Sequence, residues 1–255
     1  MDSLPTSAPP PPLSSVRPPR HLAAGEGTAF WGEAWRIFCA SPAVWMLIVV
    51  AYVVLSIVLQ IIPVIGSVAH LVLTPVFVGG MMLGCNALAR GAPLEFAHLF
   101  AGFDSRRIGP LAVLGMFALA AVIVSGILLA AGAFMTIGMS GLGALLDYGS
   151  PRALTSAAGA GILGLVLLAL VIAALAGMAF WFTPALVAID GVEPVAAMKA
   201  SFEACLANLG PLLVYGLVYI GLAIIASIPL GLGWLVLGPM MAGSCYASWR
   251  RVFAA

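Results

Sequence analysis

Leu71-Val72-Leu73-Thr74-Pro75-Val76-Phe77-Val78-Gly79 lies deep inside a long apolar run, and its spelling returns twice. The second copy is Phe180-Trp181-Phe182-Thr183-Pro184-Ala185-Leu186-Val187-Ala188, and the third is Leu235-Val236-Leu237-Gly238-Pro239-Met240-Met241-Ala242-Gly243. Each copy sets three large apolar residues before a small or hydroxyl residue, then proline, then glycine or alanine four places later. Proline removes one helical hydrogen bond, and in a membrane neighbouring helices and threonine hydroxyls relieve that loss. The small residue four places on shares a helical face with the proline and lets another helix come close. The phrases therefore read as the trace of a tripled unit. Pro75, Gly79, Gly80, Gly84, Pro184, Ala188, Pro239 and Gly243 are the candidate helix-packing or cavity-lining positions that follow from it.

The surrounding composition places these phrases in a bilayer. Hydrophobic residues make up 63% of the chain and charged residues 7%, with a mean hydropathy of +1.18. Soluble domains run at about 45–50% apolar and about 25% charged. The net charge of +1 carries no basic excess that would attract nucleic acid. Cys39, Cys85, Cys205 and Cys245 are scattered, form no C-x-x-C pair, and read as free thiols.

Working outward, residues 1–26 are a Pro- and Ser-rich leader with little to bury, expected to be a disordered cytoplasmic tail. Residues 27–255 form a single integral membrane domain. The leader lacks the pattern of a cleaved signal peptide, so the first membrane helix is expected to act as the targeting signal. In the stretch 28–39, Phe30, Trp31, Ala34, Trp35 and Phe38 fall on one helical face, with Glu33 and Arg36 on the other, a pattern suited to the membrane interface. Residues 43–62 then supply the roughly 20 apolar residues of a span. Pro63 and Gly66 make a turn, and a second span runs through the first phrase, with Gly80 and Gly84 at GxxxG spacing, to Arg90.

The same order recurs. Residues 94–103 predict a short helix with a polar strip of Glu95, His98 and Gly102, followed by a span opened at Gly109-Pro110. A less apolar connection over 135–156, carrying Asp147 and Arg152, leads into the span that contains the second phrase and ends at Asp190. Glu193-Pro194 starts a helix with Val195, Met198, Phe202 and Leu206 on one face, which Asn208 and Gly210 stop. Two further spans follow, the last carrying the third phrase. The expected fold is all-α: a polytopic membrane helical bundle of six transmembrane helices in three pseudo-repeated hairpins, each preceded by a cytoplasmic amphipathic helix. Under that topology Arg17, Arg20, Arg36, Arg90, Arg106, Arg107, Lys199, Arg250 and Arg251 share one side, and Arg152 alone lies on the other. Basic residues mark the cytoplasmic side, so both termini are expected there.

No active-site pattern stands out: there is no H-E-x-x-H, no G-x-S-x-G and no phosphate loop. The formal G-x-G-x-x-G at Gly159, Gly161 and Gly164 has no preceding strand and fits helix packing better. His21, His70 and His98 are isolated and suggest no metal site. Trp31, Trp35, Trp45 and Trp249 read as headgroup-level anchors. Arg90, Asp190 and Arg250 end the three proline-bearing spans and form a candidate cytoplasmic charged cluster. No catalytic residue, metal or cofactor is expected.

Several pieces carry a resemblance: Trp35-x-x-Phe38, Pro42-x-x-Trp45, Arg90-Gly91-x-Pro93 with Leu99-Phe100-Ala101-Gly102-Phe103, Trp181-Phe182-x-Pro184-Ala185-Leu186-Val187, and Tyr246-Ala247-Ser248-Trp249-Arg250. Together they resemble a family of bacterial inner-membrane proteins of unknown function, over nearly everything from residue 28 onward. The architecture is also distantly similar to the membrane domain of some glycerophosphodiester phosphodiesterases, without their catalytic barrel. Family members often end in a Tyr-Arg-Asp-type sequence where this chain has Trp249-Arg250-Arg251. The leading expectation is a non-enzymatic scaffold or accessory protein of the inner membrane, with membrane lipids, other membrane proteins or further copies of itself as partners. The alternative is a transporter or channel for a small or amphiphilic solute, with the three prolines flanking the path.

Overall fold

The computed structural model describes residues 17–146 and 151–254, and every element among these is helical. In chain order they are α1 (Glu26–Ala40), α2 (Pro42–Gln60), α3 (Ile65–Ala89), a 3-10 helix (Phe96–Phe103), α4 (Ile108–Leu146), α5 (Pro151–Phe180), α6 (Thr183–Ala188), α7 (Pro194–Ala207), α8 (Leu209–Ser227) and α9 (Trp234–Trp249). A π-helical turn, Arg250–Ala254, extends α9. Five stretches are long and apolar enough to cross a bilayer: Pro42–Gln60, Ile65–Ala89, Ile108–Thr136, Gly161–Ala188 and Leu209–Ser227. The expected sixth, α9, has 16 residues, about 24 Å of helix at the usual rise, against a hydrocarbon core of about 30 Å.

The spanning helices leave apolar side chains such as Val53, Ile57, Val122, Leu163 and Ile224 exposed. Hydrocarbon solvates such groups, so in a bilayer this surface carries no penalty. α3 is the central element and touches α1, α2, the 3-10 helix, α4, α6 and α9. Small residues permit that crowding. A Cβ on Gly79 would lie 2.8 Å from Leu111 Cδ1 and 3.3 Å from Ala188 Cβ. Gly80 and Gly84 face the 3-10 helix and the strand of chain before it, through His98 and Leu94, rather than another membrane helix. In the first turn of α3, a Cβ on Gly66 would stand 1.6 Å from Leu59 O, which is why glycine opens the second span.

The three proline phrases are not structurally alike. α3 and α9 continue through Pro75 and Pro239, whereas the chain breaks between α5 and α6 and Pro184 starts the new helix. Ser201 on α7 repairs that break: its hydroxyl donates to Met178 O at 2.7 Å and accepts from Phe182 N at 3.0 Å. Thr74 and Thr183 each donate back to the carbonyl four residues earlier, at 2.7 and 2.6 Å.

Several sequence expectations need correction. The connection expected over 135–156 is helical up to Leu146 and again from Pro151; Asp147 lies outside the described residues. α4 and α5 run antiparallel in close contact, with Gly132 against Leu165 and Gly161 against Thr136. Gly161 therefore acts in helix packing, while Gly164 has nothing within 4 Å of its Cβ position.

The three short helices depart from the faces expected of them to different degrees. On α1, Phe30, Trp31, Ala34 and Phe38 are buried as expected, but Glu33 is buried too and Trp35 is 50% exposed, because Trp31 stacks on Tyr215 of α8 at 4.7 Å and turns the helix toward α8 and α9. The residues at 96–103 form a 3-10 helix with Gly102 on its buried side, where an added Cβ would meet Val76 O at 2.0 Å. On α7 the buried face is the small one, Ala197, Ala200, Ser201, Ala204 and Cys205, while Val195 and Leu206 are exposed. Close approach to the α5–α6 break requires small side chains, and this outweighs the larger apolar stripe.

Trp31, Trp45 and Trp249 are buried rather than at the surface. Their indole nitrogens donate to Tyr215 O, Ile37 O and Asp190 Oδ2. Residues 1–16 of the leader lie outside the described residues, but part of the remainder is held in place. Arg20 N donates to Val252 O at 3.0 Å, and Asn208, buried between α7 and α8, takes Leu22 N and gives its amide to Arg20 O.

Candidate functional site

Two cavities lie one beyond the other along the proline-bearing helices. The larger, about 840 Å³, is lined by residues of α2, α3, α5, α8 and α9 together with Ala118 of α4 and Pro184 of α6. That volume is within the range of about 300–1,000 Å³ common for small-molecule pockets. Pro75 and Pro184 line it directly, and the third phrase contributes Gly238 and Ala242. Pro239 is buried beside it.

The wall of this cavity offers little to a polar guest because its polar groups are already engaged. Thr74 Oγ1 donates to His70 O, and Trp181 Nε1 donates to Ser248 Oγ at 3.3 Å. Tyr215 OH pairs with Ser244 Oγ at 3.0 Å, and Cys245 Sγ donates to Trp181 O at 3.0 Å. Tyr52 OH lies 3.4 Å from His70 Nε2. A hydrocarbon occupant leaves these pairs intact. A strongly hydrated one loses its water without compensation.

His70 Nε2 also lies 3.1 Å from Ser56 Oγ, a serine–histidine approach that the sequence spacing did not reveal. Ser56 Oγ also donates to Tyr52 O at 2.7 Å, so its hydroxyl is shared between the α2 backbone and the imidazole. That arrangement braces α2 against α3.

The second cavity, about 450 Å³, is walled by the same helices a turn or two further along: Asn86 on α3, Leu186 on α6 and Tyr246 and Trp249 on α9. Arg90, Asp190 and Arg250, which the sequence singles out as a charged cluster, all line it, with Arg17 from the leader. Asp190 Oδ2 accepts Trp249 Nε1 at 3.1 Å. Although Asp190 as a residue remains exposed at the rim, the pocket wall strips water from its carboxyl and raises its pKa, against the lowering effects of the Trp249 bond and the Arg17 charge. Tyr246 OH donates to Asn86 Oδ1 at 3.3 Å and stands between the two cavities, since Met82 and Cys245 line one and Asn86 and Tyr246 the other.

The other candidates go elsewhere. Gly79, Gly80, Gly84 and Ala188 serve contacts among α3, the 3-10 helix, α4 and α6, and Gly243 lets Ala34 of α1 approach α9. Glu33 is the residue that sequence reasoning missed. Buried on α1, it pairs with Arg250 and lies 3.5 Å from Arg251, while Glu26 pairs with Arg251. The adjacent Arg250-Arg251 was the available signal, since two neighbouring cations at a helix end imply acidic partners nearby.

Thiol chemistry separates the cysteines. Cys39 is exposed, whereas burial pushes the Cys205 thiol up to about 12. Only the thiolate is nucleophilic. Maleimide near neutral pH is therefore expected to label Cys39 and spare Cys205 until the protein unfolds, as peptide mass spectrometry reads directly; early modification of Cys205 contradicts its burial.

Compared with known proteins, the chain is 30% identical over 235 residues to a probable inner membrane protein of Burkholderia thailandensis, an alignment covering 89% of this chain and 82% of that one. No protein-family model matches the sequence. No solved structure matches it.

Proposed function

The chain belongs to the family of that probable inner membrane protein and is a multi-pass protein of the inner membrane; from this premise we propose that it is a non-enzymatic accessory protein that holds the apolar chain of a membrane lipid. The observation that carries this reading is the 840 Å³ cavity, whose polar wall groups already have partners. A transport role for an amphiphilic solute is the second reading. It is favoured by the alignment of the two cavities on the same helices, with Tyr246 and Asn86 between them.

The proposed topology has six crossings in three hairpins, α2 with α3, α4 with α5 and α8 with α9. Arg20 N and Val252 O are hydrogen-bonded, so the two ends of the described chain lie together. An odd number of crossings separates the ends across the bilayer, so α9 with its π-helical extension is taken as the sixth. The arginines around the smaller cavity favour a cytoplasmic position for that side.

Native mass spectrometry of protein purified in a mild neutral detergent tests the lipid reading. Wild type is expected to retain lipid, and Val78→Trp with Ala242→Trp, which place bulk in the cavity, are expected to lose it while remaining folded. Full retention of lipid by the filled variants rules the cavity out as its seat.

A further inference from the structure

We propose that the smaller cavity binds the anionic, phosphate-bearing head group of the lipid whose chain occupies the larger one. This rests on the reading just given and adds the class of lipid and the residues that select it. The first support is placement. Along α3 the lining passes from Met82 to Asn86 to Arg90, and along α9 from Cys245 to Trp249, so one set of helices carries an apolar compartment and then a cationic one. A molecule with a hydrocarbon part joined to a charged end has that same order.

The second support is the balance of charge. Three guanidinium groups, Arg17, Arg90 and Arg250, share the smaller cavity with one carboxylate, Asp190. Arg250 is matched by Glu33, and Asp190 takes the Trp249 indole and feels the Arg17 charge. Arg90 has no ion pair among the described residues. It is exposed, at the end of α3 where the helix carbonyls point. The cavity therefore has cationic capacity left over, and guanidinium groups grip phosphate oxygens in paired hydrogen bonds. Leftover positive charge selects a head group with net negative charge over a zwitterionic one.

The third support is the thinness of the partition. Tyr246 OH donating to Asn86 Oδ1 at 3.3 Å is a single hydrogen bond across the boundary. One lipid occupies both compartments when that bond opens, and the freed hydroxyl and amide then face the polar linkage between chain and head group.

The test uses the full chain in neutral detergent with dioctanoyl phosphatidylglycerol, dioctanoyl phosphatidylcholine and inorganic phosphate, read by native mass spectrometry. Wild type is expected to bind the anionic lipid about tenfold more tightly than the zwitterionic one, as one additional charge-assisted contact implies. Arg17→Gln combined with Arg90→Gln is expected to bring that ratio to about one, with phosphatidylglycerol losing more affinity than phosphatidylcholine. Both arginines are exposed, so thermal unfolding of the double variant should match wild type. Equal binding of the two lipids by wild type, or a preference that survives the double variant, overturns the head-group site while leaving the lipid-chain reading intact. Failure of both lipids to bind overturns that reading too. Displacement of phosphatidylglycerol by an equal concentration of inorganic phosphate reassigns the pocket to a free anion and ends the proposal.

Discussion

Replacing Arg250 and Arg251 together with alanine is expected to destabilise the protein by about 3 kcal/mol, the lower end of the cost of stranding a buried charge. Glu33 is buried on α1, and these arginines are its ion-pair partners among the described residues. With both gone, its carboxylate has neither water nor a counter-charge. The arginine side chains keep 43% and 29% of their surface, so solvent already screens part of each attraction, and the upper end of the range does not apply. That asymmetry makes the experiment discriminating. Glu33→Gln leaves two cations that can reach water, and it is expected to cost only about 1 kcal/mol. Thermal unfolding in detergent measures both. A double-arginine variant no less stable than Glu33→Gln contradicts the burial of Glu33 and, with it, the docking of α1 on α9.

Gly80→Leu is expected to cost about 3 kcal/mol, the upper part of the overpacking range. A Cβ at this position would stand 2.5 Å from His98 O and 2.8 Å from Leu99 O. Both are backbone atoms, so a rotamer change cannot relieve the contact and the 3-10 helix itself has to move. That helix carries Leu99, fully buried against the core. Gly216 is the control: it sits inside α8 with nothing within 4 Å of its Cβ position. Gly216→Ala is expected to be neutral or to stabilise the protein by up to about 1 kcal/mol through helix propensity. Unfolding temperatures that fall equally for both variants contradict the assigned contact.

Some of the architecture was legible because it depends on local chemistry. Pro75, Pro184 and Pro239 were visible as repeated spelling, and all three come to lie at or beside one cavity. Gly80 and Gly84 were readable as close-packing positions, since no other residue permits such an approach, but the partner was misread: a 3-10 helix, not a membrane helix, fills the notch. The face of α7 was misread for a related reason, as was the burial of Glu33 on α1. Periodicity ranks side chains by hydrophobicity, while the structure ranks them by what the facing backbone tolerates. Ser201 is buried because it completes the hydrogen bonds of the broken α5–α6 connection. A sequence window around residue 201 does not contain that connection.

Arg90, Asp190 and Arg250 show both sides of the matter. Their positions at the ends of three apolar stretches were readable from the chain, and they do share a cavity wall. Their chemical state depends on Glu33 and Trp249, distant in sequence from most of them. By itself the sequence determined that the chain is helical and built for a membrane, because a composition this apolar must satisfy its backbone internally and helices do so within one segment. Only the tertiary structure decided which faces are buried, where the two cavities lie and which charges are already paired. Those outcomes are set by backbone distances and hydrogen bonds between segments up to 225 residues apart, and no local pattern encodes them.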